Sequence, residues 1–463
     1  MSSHLPTVTR ENEMRSWRRS SREDEDCRGT WPGLTYHRAR PAGRPARSRI
    51  RYQIPAALAV AALAAGCASS SSSGSTSAGS GTSASGSYNI GLIADLSGNG
   101  GVDMPFEQAI VGSVKAANAR EPVHGHTFNL IVCDSQTNDN ADAACGQQMV
   151  SSHVVAVFDL AGEDAALPYL QSAGIPDLND GAEPQDWTSP VSFATNTLGL
   201  TSTVGFIALA KDQHCQSIAA VSSIAGTPAA AAAQQNALSG AAKLDGIAFK
   251  DYINVPATAP DLAPYVAQAV GTGIDCIALE GLGAQEVSML NATVTEPANI
   301  KVITGISFLS APGEAASVEP LAAKLGSRLI VLTATENVAE PPNSLVKQWV
   351  SDQDSYGPKP PDLGSSVSQT FWAEQQLLTQ VANEVYPDVT ASTVLHGLDH
   401  VSDFWPGVSP PVSFDKPVPN AFGPRVFAVW IAPTKYVNGV SFPRTGPFVN
   451  MLTGATSSNT QAG

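Results

Sequence analysis

From Tyr88 onward, short runs of uninterrupted apolar residues alternate with longer segments whose apolar positions recur every three or four residues. The first kind predicts strands over 89–94, 127–133, 154–158 and near Ile175. The second predicts helices over 105–119, 141–151 and 165–173, the first with Phe106, Ile110, Val114 and Ala117 on one face. A second series follows residues 193–197. It has helices over 200–211, 228–243, 259–271 and 284–293, and strands over 217–221, 247–254, 276–279 and 301–305. A third stretch adds helices over 315–325, 344–355, 366–385 and 390–401, with strands over 328–333 and 425–431. The strand runs are near-continuously apolar instead of alternating, as parallel strands covered on both faces are. Two successive βαβ series of similar length predict an α/β chain of two doubly wound lobes. The polar tail from Thr453 reads as frayed.

Charge divides the chain. Residues 1–67 hold twelve arginines against six acidic residues, whereas residues 68–463 hold fourteen basic residues against thirty-five acidic ones. The body therefore lacks the clustered cations that nucleic-acid binding needs. The basic stretch Arg38, Arg40, Arg44, Arg47, Arg49 and Arg51 precedes an apolar run over 54–65, too short to span a ~30 Å hydrocarbon core as a helix. That run ends in Leu63, Ala64, Ala65, Gly66 and Cys67. Small residues before a cysteine are the pattern of a bacterial lipoprotein signal, with lipid attached at Cys67. Residues 68–87 contain only Ser, Gly, Ala and Thr and cannot offset their ordering entropy, so they read as a tether. Residues 1–37 lie upstream of the signal and are set aside from the fold.

The segment Asn89 to Gly98, reading Asn-Ile-Gly-Leu-Ile-Ala-Asp-Leu-Ser-Gly, resembles the opening strand and turn of the branched-chain amino-acid-binding proteins. The likeness continues through 128–134, 141–151, 154–158 and Gly174-Ile175-Pro176, and spans roughly 88–431. That family consists of solute-binding components of ABC importers with the type I periplasmic binding fold: two lobes joined by three crossover segments. The resemblance implies lobe 1 over 88–198 and 310–407, and lobe 2 over 199–309 and 408–450, with a flexible tail over 451–463. The crossovers are then expected near 197–199, 307–312 and 406–411. It implies a small-molecule ligand at the carboxyl ends of the strands, where open α/β sheets bind ligands. Ser97, Ala161, Gly162, Ala182 and Glu183 are the expected lining from lobe 1, and Ser223, Thr227, Glu280 and Ser307 from lobe 2. Its partners would be an ABC permease and its ATPases, and its place the outer face of the cell membrane. No cofactor, metal or catalytic role is expected. The alternative reading is a lipoprotein of the same fold acting as a sensor or interaction partner.

The residues that read an amino acid in that family are altered. Tyrosine is absent from 222–227, 280–283 and 305–308, and Ser307 or Phe308 stands where an acid is expected. A zwitterion would lose charge-assisted bonds worth ~1.5–3 kcal/mol each. The loops therefore favour a neutral, more apolar or larger ligand. Asp159, Glu163, Asp180 and Glu183 either converge on one cleft wall or remain solvated loop acids.

Other motifs carry less. His396 and His400 are spaced as two metal ligands on a helix, but no third ligand is evident, and His124 and His126 sit in a turn. The glycine-rich stretch 98–101 lacks the Lys-Ser/Thr of a phosphate loop, and no Gly-x-Ser-x-Gly elbow occurs. Phe371, Trp372, Phe404 and Trp405 read as packing residues. Cys133, Cys145, Cys215 and Cys276 form an even set in an exported body. Cys133 ends a strand whose following helix carries Cys145. Cys215 and Cys276 sit at the amino ends of strands adjacent in a 2-1-3-4-5 sheet. The expected bridges are Cys133–Cys145 and Cys215–Cys276.

Overall fold

The computed structural model describes residues 86–97, 104–161, 164–223, 228–256, 258–281, 283–305, 309–310, 315–416, 418–438 and 441–459. Cys67, the basic leader and the tether lie outside the described residues. Among the described residues no helix is long and apolar enough to cross a membrane.

Strands β1 (Ser87–Ala94), β2 (Thr127–Asp134), β3 (Val157–Asp159), β4 (Asp177–Asn179) and β5 (Ser192–Phe193) form a parallel sheet ordered β2-β1-β3-β4-β5. Helices α1 (Met104–Arg120), α2 (Asp139–Ser151) and α3 (Leu167–Ala173) connect them. Apolar residues occupy both faces of β1 because both faces are covered. Ile90, Leu92 and Ala94 pack with Ile110 and Val114 of α1, whereas Ile93 packs with Cys145 and Met149 of α2 and Leu170 of α3.

Helix α4 (Leu198–Asp212) leads into a second, eight-stranded sheet. It contains β6 (Ser217–Ser222), β7 (Ala248–Asn254), β8 (Cys276–Glu280), β9 (Lys301–Gly305), β10 (Leu329–Thr333), β11 (Trp430–Thr434), β12 (Phe448–Asn450) and β13 (Thr456–Ser457). Their order is β13-β12-β11-β10-β9-β8-β6-β7, parallel from β7 to β10 and antiparallel beyond. The connecting helices are α5 (Pro228–Asp245), α6 (Ala263–Gly271), α7 (Ala284–Val294) and α8 (Ala315–Leu325). Period-two alternation again serves two cores: Val221, Leu279 and Val302 face α6, α7 and α8, while Ala220, Ala278 and Ile303 face α4 and α5.

Helices α9 (Ser344–Tyr356), α10 (Ser366–Glu384) and α11 (Ala391–Asp399) return to the first lobe, where α1 packs on both α9 and α10. Their contact holds a buried carboxylate: Asp352 accepts from Arg120 Nη1 at 2.7 and 2.9 Å, Gln348 Nε2 at 2.7 Å and Trp372 Nε1 at 2.9 Å. Trp372 and Phe371 are core residues, as the sequence predicts.

Both expected disulfides are present. Cys133 bridges β2 to Cys145 on α2 with Cα atoms 5.6 Å apart. Cys215 and Cys276 are 6.0 Å apart, and β6 lies directly beside β8, with Ile218 opposite Cys276. At this amino edge the Asp275 carboxylate also accepts from the Gln216 and Ser217 amides at 2.8 and 2.7 Å, which together with the Ser217 hydroxyl holds its pKa low against partial burial. Because the second bridge spans 61 residues, the chain-entropy model assigns it about 4 kcal/mol, against about 3 for the 12-residue one. Accordingly, the Cys215→Ala, Cys276→Ala double variant should lose more in urea denaturation than the Cys133→Ala, Cys145→Ala variant. Equal losses, or free thiols on non-reducing peptide mapping, would contradict the assignment.

Three boundaries differ from the sequence expectation. The 310–407 segment does not belong wholly to lobe 1, because β10 pairs in parallel with β9 and carries α8 with it into the second lobe. The crossover expected at 307–312 therefore comes after Thr333. The one expected at 406–411 comes later too. Phe414 and Phe427 still pack on Phe193 and its neighbours in the first lobe, and the chain enters the second sheet only at Trp430. The tail over 451–463 is not simply loose. Thr456 and Ser457 pair with β12, and Asn459 is buried, donating to Glu336 Oε1 at 2.9 Å and to the Gly407 carbonyl at 2.8 Å. Polarity misled the sequence reading there, since the polar side chain is satisfied inside the fold.

Candidate ligand cleft between the lobes

The three crossovers meet at one buried side chain. Asn196 Nδ2 donates to the Ala334 carbonyl at 3.2 Å and the Trp430 carbonyl at 3.1 Å, and its Oδ1 accepts from the Trp430 amide at 2.9 Å. The neighbouring Thr197 amide bonds the Ala428 carbonyl at 3.0 Å. Here the turn after β4 lies against the start of α4, with the Leu198 amide on the Asp180 carbonyl at 2.7 Å. Backbones approach so closely that a Cβ at Gly199 would fall 2.5 Å from the Gly181 carbonyl oxygen. Gly181 itself has φ of +64° with Thr197 against it, which excludes a side chain on both grounds.

The first lobe presents carboxylates at this edge. Asp159 ends β3, Asp177 begins the three-residue β4, and Asp180, Glu183 and Asp186 follow it. Asn179 Nδ2 ties part of the group together, donating to Asp177 Oδ2 and Ser192 Oγ at 2.7 Å each and to Asp186 Oδ1 at 3.4 Å. Glu374 reaches in from α10, its Oε1 accepting from the Thr195 amide at 3.1 Å. Burial lifts every member, and neighbouring carboxylates lift most of them further. Burial with Asp164 and Asp180 pushes Glu183 up to about 8, and burial pushes Asp180 up to about 6. Burial likewise takes Asp177 to about 8 against its bond from Asn179, with Asp164, Asp142 and Asp180 adding to the rise. Asp159 and Asp186 rise well above the ordinary range from burial and from Asp177. The charged groups acting most strongly on Asp159, Asp177, Glu183 and Asp186 are other acids.

From the second lobe comes Glu280 at the end of β8, fully buried. It stands opposite Ser222 at the end of β6, in reach of the Ser222 and Ser202 hydroxyls, and burial pushes its carboxyl up to about 7. Tyr252 lies on the same face of β7, its hydroxyl donating to Gln234 Oε1 at 2.6 Å. Burial raises the Tyr252 pKa, and Glu280 and Glu183 both raise it further.

The expected residues divide accordingly. Glu183 is buried in the turn after β4, and Glu280 is buried at the end of β8. Ala182 sits half-buried in the turn between Asp180 and Glu183, its amide on Asp180 Oδ1 at 3.0 Å. Ser223 lies beside Glu280, its amide on the Glu280 carbonyl at 2.9 Å and its hydroxyl on Gln285 Oε1 at 2.8 Å. Ala161 is half-buried after β3, its amide on Asp159 Oδ1 at 3.1 Å. Ser97 is exposed and not part of this group; its hydroxyl binds Asp134 Oδ2 at 2.6 Å and fastens the β1 turn to β2. Gly162, Glu163, Thr227 and Ser307 lie outside the described residues. Asp159 and Asp180 are half-buried and Glu183 is buried, so these three are not solvated loop acids. Tyr252, Ser202, Asp186 and Glu374 were missed. Tyrosine was sought in the loops after β6, β8 and β9, whereas it arrives from the body of β7, and α10 is some 180 residues away in sequence from Thr195.

The histidine pairs do not build a site. The His396 and His400 rings lie 4.2 Å apart, and His124 stacks on Tyr386 at 4.1 Å. Among the described residues no three Asp, Glu, His or Cys side chains are grouped to hold a metal. An open hollow of about 460 Å³ lies beside Glu336 and Arg444, away from the expected lining. Its Arg444 and Glu336 are paired with each other, Arg444 Nε to Glu336 Oε2 at 2.9 Å and Nη2 to Oε1 at 3.1 Å.

Comparison with known proteins agrees with this architecture. The model of the periplasmic binding protein family matches residues 87–429, and the chain belongs to that family, whose members bind solutes and are not enzymes. No curated protein matches the sequence. Among solved structures, a branched-chain amino-acid ABC transporter protein from Thermus thermophilus with bound valine aligns at a TM-score of 0.64 and 15% identity, covering 78% of this chain and 96% of that one. A solute-binding protein from R. palustris in complex with 4-hydroxybenzoate gives 0.61 and 18%, covering 78% and 96%. Another from R. palustris, with benzoate, gives 0.64 and 14%, covering 81% and 98%. At these identities the likeness is one of fold.

Proposed function

We propose that the chain is an extracytoplasmic solute-binding lipoprotein, anchored through Cys67, that captures a small molecule between its lobes and delivers it to an ABC importer. The observation that carries the reading is the junction of the two doubly wound sheets, where three crossovers are tied by Asn196 in a chain whose family binds solutes. Ligand held there bridges the lobes, so binding is coupled to hinge closure. A thermal-shift screen of the purified protein against amines, amino acids, sugars and aromatic acids tests it, since a ligand raises apparent stability by mass action. At least one compound is expected to raise the melting temperature, and a screen without any binder counts against solute capture.

Leucine, isoleucine and valine are expected to bind weakly, because each brings a carboxylate to a wall of carboxylates. Calorimetry showing micromolar affinity for any of them would overturn that expectation. Support for the anchor comes from the sequence: a basic stretch, a short apolar run, Cys67 and a Ser/Gly tether. Mass spectrometry of the mature N-terminus should find a lipid-modified Cys67, and Cys67→Ala should move the protein out of the membrane fraction. An unmodified Cys67, or an unchanged distribution in the variant, refutes the anchor.

A further inference from the structure

We infer that the segment following β12 is a clasp on the hinge, in which Asn459 ties the second lobe to the first and restrains their rotation. The inference concerns the movement of the lobes, goes beyond solute capture and leaves the choice of solute open.

Asn459 is 2% exposed, and both polar atoms of its side chain are bonded. Its backbone belongs to the second lobe. Thr456 and Ser457 pair with Val449 and Phe448 of β12, and the Asn459 amide donates to Ser457 Oγ at 3.0 Å. Its φ of +54° is left-handed, a conformation that asparagine tolerates better than most residues. The side chain reaches the other way. Nδ2 donates to the Gly407 carbonyl at 2.8 Å, and Oδ1 accepts from Trp405 Nε1 at 2.8 Å. Both partners lie on first-lobe chain. The Gly407 carbonyl also accepts from Nδ2 of Asn343, the N-cap of α9, at 2.9 Å, and Val408 packs with Trp349 of α9 and Trp372 of α10.

The third bond joins the second crossover. Nδ2 also donates to Glu336 Oε1 at 2.9 Å, and Glu336 is itself divided between the lobes. Its amide donates to the Val408 carbonyl at 2.8 Å on the first-lobe side. Its carboxylate takes both Arg444 bonds on the second-lobe side. There Arg444 Nη1 also donates to the Gly446 carbonyl at 3.1 Å, and Nη2 to the Ser458 carbonyl at 3.2 Å. The next residue repeats the tie, Asn337 Oδ1 accepting from the Phe442 amide at 3.0 Å. Arg444, Glu336 and Asn459 thus form one polar chain from the β11–β12 turn to the 404–408 segment.

Between residues 336–342 and 443–446 the surface is open: the hollow of about 460 Å³ separates them. Directional bonds, more than apolar packing, therefore hold the two segments in register. Such a tie is either made or broken, which is what restraint of a hinge needs. Rotation that carries 404–408 away from β12 and β13 breaks all three Asn459 bonds at once. The arrangement then persists until a gain elsewhere, from solute or transporter, exceeds their cost.

The purified full-length protein is compared with its Asn459→Ala and Trp405→Phe variants, without added solute. Dyes on azide-bearing residues placed at Gln171 of α3 and Ala267 of α6, both exposed and on different lobes, report lobe separation by single-molecule energy transfer. Hydrogen exchange of peptides covering 334–340 and 404–412 reports the clasp itself. The wild-type protein is expected to show one narrow population. Asn459→Ala should raise the fraction of molecules in a second, differently separated population about tenfold, and Trp405→Phe, which removes one bond of three, by less. Exchange in both peptides should quicken about tenfold in Asn459→Ala. Circular dichroism establishes that the variants are folded, and Trp405→Phe is the milder change should Asn459→Ala disturb the fold. Faster exchange with unchanged lobe separation overturns the clasp, since Asn459 then orders only its own neighbourhood. A separation that neither variant alters, whether narrow or broad, overturns it as well. Solute capture stands in either case, because the thermal-shift screen does not depend on this contact.

Discussion

The melting temperature of the protein is expected to fall as pH rises from about 5 to about 8, the reverse of what a fold held by salt bridges shows. Burial, reinforced by neighbouring acids, lifts Glu183, Asp177 and Glu286 to about 8 and Asp142 to about 7, and burial alone lifts Glu280 and Asp362 to about 7. In the unfolded chain these groups ionise near pH 4. Between the two values the native state holds protons that the unfolded state has released. Stability therefore decreases with pH across this window, and the advantage is gone once pH passes the folded value. One carboxyl displaced by about three units is worth roughly 4 kcal/mol, enough to move the melting temperature by several degrees. Below about pH 4 the sign reverses. There Asp134 and Asp275, whose hydrogen bonds outweigh burial and hold them below the ordinary range, begin to lose their bonds. Scanning calorimetry at pH 5, 6.5 and 8 checks this; a flat or rising series would mean that the acids are ionised in the native protein.

The second large effect is expected at Asn196. Asn196→Ala removes three hydrogen bonds and leaves the Ala334 carbonyl and both Trp430 backbone groups buried without their side-chain partner. Each stranded group costs ~1–3 kcal/mol, so a loss of at least about 3 kcal/mol in urea denaturation is expected. Asn196→Asp preserves the shape but aims a carboxylate at two carbonyl oxygens, and should be no better than alanine. If Asp restores stability, the packing of the side chain matters and its donors do not. Because the residue joins all three crossovers, the same variants should also weaken ligand binding more than their stability loss explains, through disordered closure.

Periodicity and topology were legible in the sequence because burial on both faces writes itself into β1, β6 and β8 as continuous apolar runs. The disulfides were legible for the same reason: strand adjacency in a doubly wound sheet brings Cys215 and Cys276 to one edge. The second crossover was not. Nothing in Leu329–Thr333 distinguishes a strand that closes the second sheet from one that opens a return to the first; only its pairing with β9 decides it. Glu183 and Glu280 could be found by counting from strand ends. Tyr252 and Glu374 could not, since a strand's middle and a distant helix reach the cleft only through tertiary packing. The acids' mutual influence was equally hidden, because it depends on how deeply a three-residue strand such as Asp177–Asn179 is buried.

The antiparallel extension of the second sheet also bears on how the molecule behaves in a crowded envelope. A parallel sheet ending at β10 would expose a row of backbone groups able to recruit a strand from another molecule. Here β11, β12 and β13 step down in length from five residues to three to two, so the outermost edge offers almost no ladder to extend. At the opposite margin β7 carries Lys250 and Asp251, and in the first sheet β5 is only two residues long. Three of the four sheet margins are thus short or charged, which leaves the eight-residue β2 as the one long edge through which another strand could pair.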